Sequence, residues 1–240
     1  MSIRKTGSLS LAALAALAAI VALLPAVVAA QLIEGTDYRT LTPPRPTSSP
    51  GKIEVVEFFS YACPHCNKFY PLVSAWVAKL PKDVVFKRVP VGYGRPEWLN
   101  LSRAFYALQA TGDLAKLDGP LFHAIHEEQL PLFEEQAIAD WVGKHGGNAD
   151  KFANAYVSFG VNNETVQADQ MVEDYQIGGV PALAVNGRYV VISPGEASDE
   201  EKTFRELLQR TDKVIVLARA AGTPHAAAAQ AAAAKPAKSK

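Results

Sequence analysis

The chain has 240 residues, 49% of them apolar, with 24 basic and 24 acidic side chains. That length and apolar content allow one large domain or two small ones around a sizeable core, and the zero net charge argues against a nucleic-acid binder. The balance hides a partition. Arg4 and Lys5 near the start and Lys235, Lys238 and Lys240 near the end lie in segments with no acid, so 19 of the 24 basic groups meet all 24 acidic ones in between, a net charge of about −5.

Arg4 and Lys5 precede an apolar run from Leu9 to Leu24, and Val28-Ala29-Ala30 places small residues before Gln31. That order reads as a signal peptide over 1–30, cleaved after Ala30. An uncut membrane anchor is the alternative, but the run is near the lower limit for a span and Pro25 interrupts it. Export implies an oxidising compartment in which disulfides persist.

Residues 31–51 form a lead-in, with a short edge strand at Tyr38–Leu41 and an extended loop carrying Pro43, Pro44, Pro46 and Pro50. Ile53-Glu54-Val55-Val56-Glu57-Phe58-Phe59 then reads as a strand apolar on nearly all sides, as a central strand covered on both faces would be. Phe69, Leu72, Val73, Trp76, Val77 and Leu80 follow at helical spacing, with Pro71 expected to kink that helix. Val84–Val89 is a second strand, close enough for a βαβ crossover.

From Glu97 to Asp174 the pattern is helical: Glu97–Ala110, Asp113–Glu127, Glu134–Lys144, Asn148–Val157 and Glu164–Tyr175, with Asn148 an N-cap candidate. Ala182–Val185 and Arg188–Val191 flank Asn186-Gly187, a strong hairpin turn signal. A last amphipathic helix starts near Ser198. The Ala/Lys-rich segment 222–240 can bury no stripe and reads as a disordered tail.

Both cysteines lie in Ser60-Tyr61-Ala62-Cys63-Pro64-His65-Cys66-Asn67. A structural zinc site needs about four ligands, whereas Cys63, His65 and Cys66 supply at most three that converge poorly. His123, His126 and Glu127 read better as a solvated helix face than as ligands. A structural bridge over so short a loop gains little from constraining the unfolded chain. A redox pair fits the position. Cys63 falls at a helix N-terminus, where free N–H groups and the helix dipole favour a thiolate. Pro64 suits the first helical position, His65 adds charge when protonated, and Cys66, one turn in, is the shielded resolving thiol. Stabilising the thiolate stabilises the reduced form and makes the disulfide the stronger oxidant.

The stretch Glu57-Phe58-Phe59-Ser60-Tyr61-Ala62-Cys63-Pro64-His65-Cys66 resembles the active-site strand and helix start of the DsbA family within the thioredoxin superfamily. Gly179-Val180-Pro181-Ala182 is similar to that family's cis-proline loop, Val185-Asn186-Gly187 to the strand after it, and Pro71 to the helix-kinking proline of thioredoxins. The likeness covers about Glu34 to Ala220. It implies an α/β, thioredoxin-like fold with an inserted all-helical domain: residues 52–91 and 176–221 form the thioredoxin-like part and 92–175 the insert. By position, Cys63 would attack, Cys66 resolve, and Val180 and Pro181 pair with an extended substrate. Glu57 would form a buried pair with Lys87 below Cys66 and shuttle its proton. Tyr61-Ala62, the loop Gly92-Tyr93-Gly94-Arg95 and the basic tail depart from the family pattern.

The resemblance further implies a periplasmic, monomeric oxidase of newly exported, reduced or unfolded proteins. It would be reoxidised by a membrane DsbB-type, quinone-linked protein and would need no cofactor beyond its own disulfide. The rival readings are a disulfide reductase or isomerase, and a peptide-binding chaperone module. An isomerase of this type would carry an N-terminal dimerisation domain, for which the thirty-odd residues between Gln31 and Cys63 leave no room.

Overall fold

A strand apolar on nearly all sides and helical stripes on the segments around it require a sheet with helices on both faces. The computed structural model, which describes residues 31–195 and 199–222, has this architecture. The signal peptide expected over 1–30 and the tail expected beyond Gly222 lie outside the described residues.

In chain order the elements are β1 (Tyr38–Thr40), β2 (Ile53–Phe59), α1 (Pro64–Val77), β3 (Val84–Pro90), α2 (Pro96–Thr111), α3 (Leu114–His126), α4 (Glu135–Lys144), α5 (Ala149–Tyr156), α6 (Phe159–Asp174), β4 (Ala182–Val185), β5 (Tyr189–Val191) and α7 (Glu200–Ala221). The strands form one mixed sheet in the order β1-β5-β4-β2-β3. The β2–β3 pair is parallel and the other pairs are antiparallel.

All seven residues of β2 are buried, because the strand has covered faces on both sides. Ile53 and Val55, with Leu183 and Val185 of β4, pack against Phe69 and Val73 of α1 and Phe204, Leu207 and Leu208 of α7. Val56 and Phe58, with Ala184 and Val190, face the apolar side of the helical block α2–α6. The block therefore completes the core on the second face of the sheet.

Local chemistry sets the boundaries. Asn148, Ser158 and Asp199 cap α5, α6 and α7 by accepting from the backbone N–H three residues on, and each such cap is worth about 1 kcal/mol. The sequence pattern starts α6 at Glu164, whereas the helix begins at Phe159. Phe159 is 85% exposed, so it breaks the apolar stripe that would have marked the first turn. Asn186 and Gly187 adopt φ of +55° and +64°, as a type I′ turn requires. The proline-rich lead-in docks onto that turn, with Arg45 N–H donating to the Gly187 carbonyl (2.7 Å).

Candidate active site

The chain leaves β2 at Phe59, turns through Ser60–Ala62, and enters α1 at Pro64. Cys63 N–H donates to the Ser60 carbonyl (3.1 Å), and Asn67 N–H closes the first helical bond on the Cys63 carbonyl (3.1 Å). The turn is anchored by packing. Tyr61 is fully buried against Phe59, Phe105 and Phe122, with ring centroids 4.7–6.4 Å apart. Burial of each such ring contributes roughly 1.5–3 kcal/mol, so the cysteines stand on a rigid base.

Cys63 is itself the N-cap of α1, no side chain caps that helix, and Pro64 fills the first position. The unsatisfied N–H groups of the first turn are thus left for the Cys63 sulfur. Both cysteines are free thiols in this structure, and their environments drive them apart. A hydrogen bond from Cys66 lowers the Cys63 pKa most. Backbone N–H groups of Cys66 and His65 and the His65 charge add to it against the cost of burial, and bring the pKa to about 6. Cys66 is completely buried. Burial pushes its thiol well up, helped by Cys63 and by the charge of Glu57. A lowered thiol is the better nucleophile and leaving group, and a raised one keeps its proton.

Val180 faces this pair. Its carbonyl accepts from Cys63 Sγ at 3.5 Å, and the Val180–Pro181 bond is cis. The loop before it is held by Arg39, whose guanidinium donates to the Tyr175 and Gln176 carbonyls, and by Tyr93, which donates to the Ile177 carbonyl (3.3 Å). A groove of about 790 Å³ runs from His65 and Pro181 along Val190, Phe204 and Leu207. At its mouth His65 Nδ1 meets Glu200, which also accepts from Lys68 Nζ (2.6 Å). Lys68 first and His65 second hold the Glu200 carboxyl below its ordinary range.

The expected Glu57–Lys87 pair does not form. Strands β2 and β3 run parallel with Glu57 opposite Arg88 and Val56 opposite Lys87. Side chains alternate faces, so Lys87 lies on the face of Val56 and Glu54. There it binds Glu54 at 2.6 Å, a carboxylate that also accepts from the Ser48 backbone and the Ser49 hydroxyl in the proline-rich loop. Glu57, fully buried, is bound by Arg88 Nε at 2.7 Å. Arg88 also reaches Asp118 of α3 at 2.6 Å and lies over the Phe59 ring, 3.6 Å from its centroid. Burial raises the Glu57 pKa more than Arg88 lowers it, and Asp118 adds to the rise. His126, read from sequence as part of a solvated face, instead meets the Tyr61 carbonyl through Nε2 (2.7 Å). Nothing in the sequence points Asp118 or His126 to this place, because each reaches the active-site turn from α3, 57 and 65 residues beyond Tyr61 along the chain.

Residues 81–209 match the family model described as "DSBA-like thioredoxin domain". The chain is 43% identical over 156 residues to the thiol:disulfide interchange protein DsbA of Burkholderia cepacia, covering 65% of this chain and 73% of that one. The chain belongs to the DsbA family. DsbA of Pseudomonas syringae pv. tomato is 39% identical over 194 residues, covering 80% of this chain and 90% of its own. Among solved structures, Pseudomonas aeruginosa DsbA superimposes with a TM-score of 0.71 at 36% identity, covering 79% of this chain and 96% of that one. DsbA from Xylella fastidiosa gives 0.70 at 32%, covering 79% and 98%. The chain is accordingly a thiol–disulfide oxidoreductase with the DsbA form of the thioredoxin-like fold.

Proposed function

We propose that this DsbA-family chain is a periplasmic oxidase that donates a Cys63–Cys66 disulfide to newly exported proteins. A client thiolate attacks Cys63 Sγ, the Cys63–Cys66 bond breaks, and Cys66 leaves and takes up a proton. A second client thiolate then attacks the client sulfur of the mixed disulfide, and Cys63 departs as a thiolate. Two client thiols become one disulfide, and the enzyme's disulfide becomes two thiols. A membrane DsbB-type, quinone-linked protein would restore the disulfide, and no bound metal or organic cofactor enters these steps.

The observation that carries this reading is the opposed pair of thiols, Cys63 brought down to about 6 and Cys66 pushed up. Each unit by which Cys63 falls below ambient pH favours the reduced form by about 1.4 kcal/mol, or roughly 30 mV. Val180 and Pro181 support the client half, since an extended peptide can pair with the Val180 backbone beside Cys63 as an added strand. Glu57, whose charge helps to raise the Cys66 thiol, supports proton delivery to the departing Cys66 thiolate, with Arg88 as its partner in place of Lys87.

Equilibration of the purified protein with glutathione redox buffers tests the direction. The expected potential lies well above the value of about −270 mV for thioredoxin. A potential at or below that value would overturn the oxidase reading in favour of a reductase.

A further inference from the structure

Arg88 is one guanidinium between two carboxylates in a site that water barely reaches: its side chain is 11% exposed, that of Glu57 not at all, and that of Asp118 13%. Two buried anions and one cation leave an uncompensated negative charge, which is costly unless a proton removes it. The hydrogen bonds decide where that proton goes. Asp118 has a donor on each oxygen, Arg88 Nη1 on Oδ2 (2.6 Å) and the Tyr61 hydroxyl on Oδ1 (2.5 Å). Among the described residues, Glu57 has only Arg88 Nε on Oε2 (2.7 Å), while its Oε1 is buried with no partner. A carboxylate satisfied at both oxygens holds its charge, and one with a bare oxygen takes the proton.

We propose that Asp118, supplied by the helical block, is a positioning residue that draws the Arg88 charge away from Glu57, so that Glu57 can take up and release a proton beneath Cys66. The proposal rests on the reading of Glu57 as the proton donor to Cys66. Without Asp118, Arg88 would serve Glu57 alone, and a carboxylate in a private ion pair stays ionised. The charged and titratable groups around Glu57 are fixed by the same fold: Arg88 from β3 and Asp118 from α3 act on it directly, Cys66 of α1 feels its charge, and Tyr61 and Tyr70 face the Arg88–Asp118 pair. Opposite Glu57 on β4 stands Leu183, which does not titrate. Asp118 therefore ties the helical block to the thiol chemistry electrostatically, through Arg88.

The test uses the full chain and three variants, Glu57→Gln, Asp118→Asn and Tyr61→Phe. The Glu57 carboxyl is titrated by carbon NMR of glutamate-labelled protein, its signal assigned by its loss in Glu57→Gln. The rate of disulfide reduction by glutathione is followed over the same pH range and expressed per glutathione thiolate. In the parent this rate falls as Glu57 ionises, and in Glu57→Gln that fall disappears. In Asp118→Asn the Glu57 midpoint drops by about one pH unit or more, and the fall in rate moves with it. Tyr61→Phe bares Asp118 Oδ1 and shifts both in the same direction by less, which keeps the proposal testable if Asp118→Asn folds poorly. Persistence of the fall in Glu57→Gln would sink the donor reading and this proposal together. Its loss in Glu57→Gln, with an unmoved Glu57 midpoint in Asp118→Asn and Tyr61→Phe, would overturn this proposal alone.

Discussion

Cys63 owes its acidity to geometry that one substitution can probe. The reduced protein should show thiolate absorbance near 240 nm with a midpoint of about 6, absent in Cys63→Ala, so that roughly nine-tenths of Cys63 is ionised at pH 7. His65→Leu removes the imidazole charge but leaves the backbone N–H groups, so the midpoint should rise while staying below that of a free cysteine. An unchanged midpoint would show that the Cys66 hydrogen bond and the backbone N–H groups do the tuning without the His65 charge. At this scale the sequence is most readable for residues whose role depends on local position, as for Cys63, Pro64 and Cys66. It is least readable for Glu57, whose buried acidity is evident from its strand but whose partner depends on β-sheet register. A one-residue error in register exchanges the two faces, and it separates Lys87, which holds the proline-rich loop through Glu54, from Arg88, which holds the site.

The elements carry their own test at the β4–β5 hairpin. Gly187 has a positive φ of +64°, and a Cβ there would collide with the Arg45 carbonyl oxygen, a backbone atom that cannot swing away. Gly187→Ala should therefore destabilise the fold by about 2 kcal/mol or more, combining backbone strain with loss of the Arg45 contact. A urea-unfolding midpoint within error of the parent would show that the lead-in docks elsewhere. The hairpin, the cap at Asn148 and the strands β2 and β3 are visible in sequence because their signals are short-range. The early start of α6 is not, because an exposed Phe159 occupies a position where the stripe model expects a polar residue. The joining of α3 to the active-site turn through Tyr61, Asp118 and His126 is equally hidden, since it depends on how distant elements pack.

For the whole molecule, the reduced and oxidised states should differ in stability with a definite pH dependence. The lowered pKa of Cys63 gives the reduced fold a stabilisation that is complete above the pKa of an unfolded cysteine and is lost as pH falls through about 6. The oxidised form has no such group. The reduced protein should thus melt at the higher temperature at about pH 8, with the gap closing by about pH 5. A gap independent of pH would assign the difference to chain packing. The α/β class and the inserted helical block are readable from the order of the elements, and the thioredoxin-like fold from the resemblance carried by the Cys-Pro-His-Cys and Gly-Val-Pro-Ala stretches. The way the insert reaches beneath Cys66 required the structure. The contact between Cys63 and Val180 spans 117 positions, and a site closed over such a separation forms late in folding. Before β4 docks, the Cys-Pro-His-Cys segment is an ordinary dithiol with neither a shielded Cys66 nor a strand-pairing backbone beside it. On the oxidase reading, oxidising power would be acquired at the end of the molecule's own maturation, and a chain halted before β4 would be chemically a client of its finished siblings.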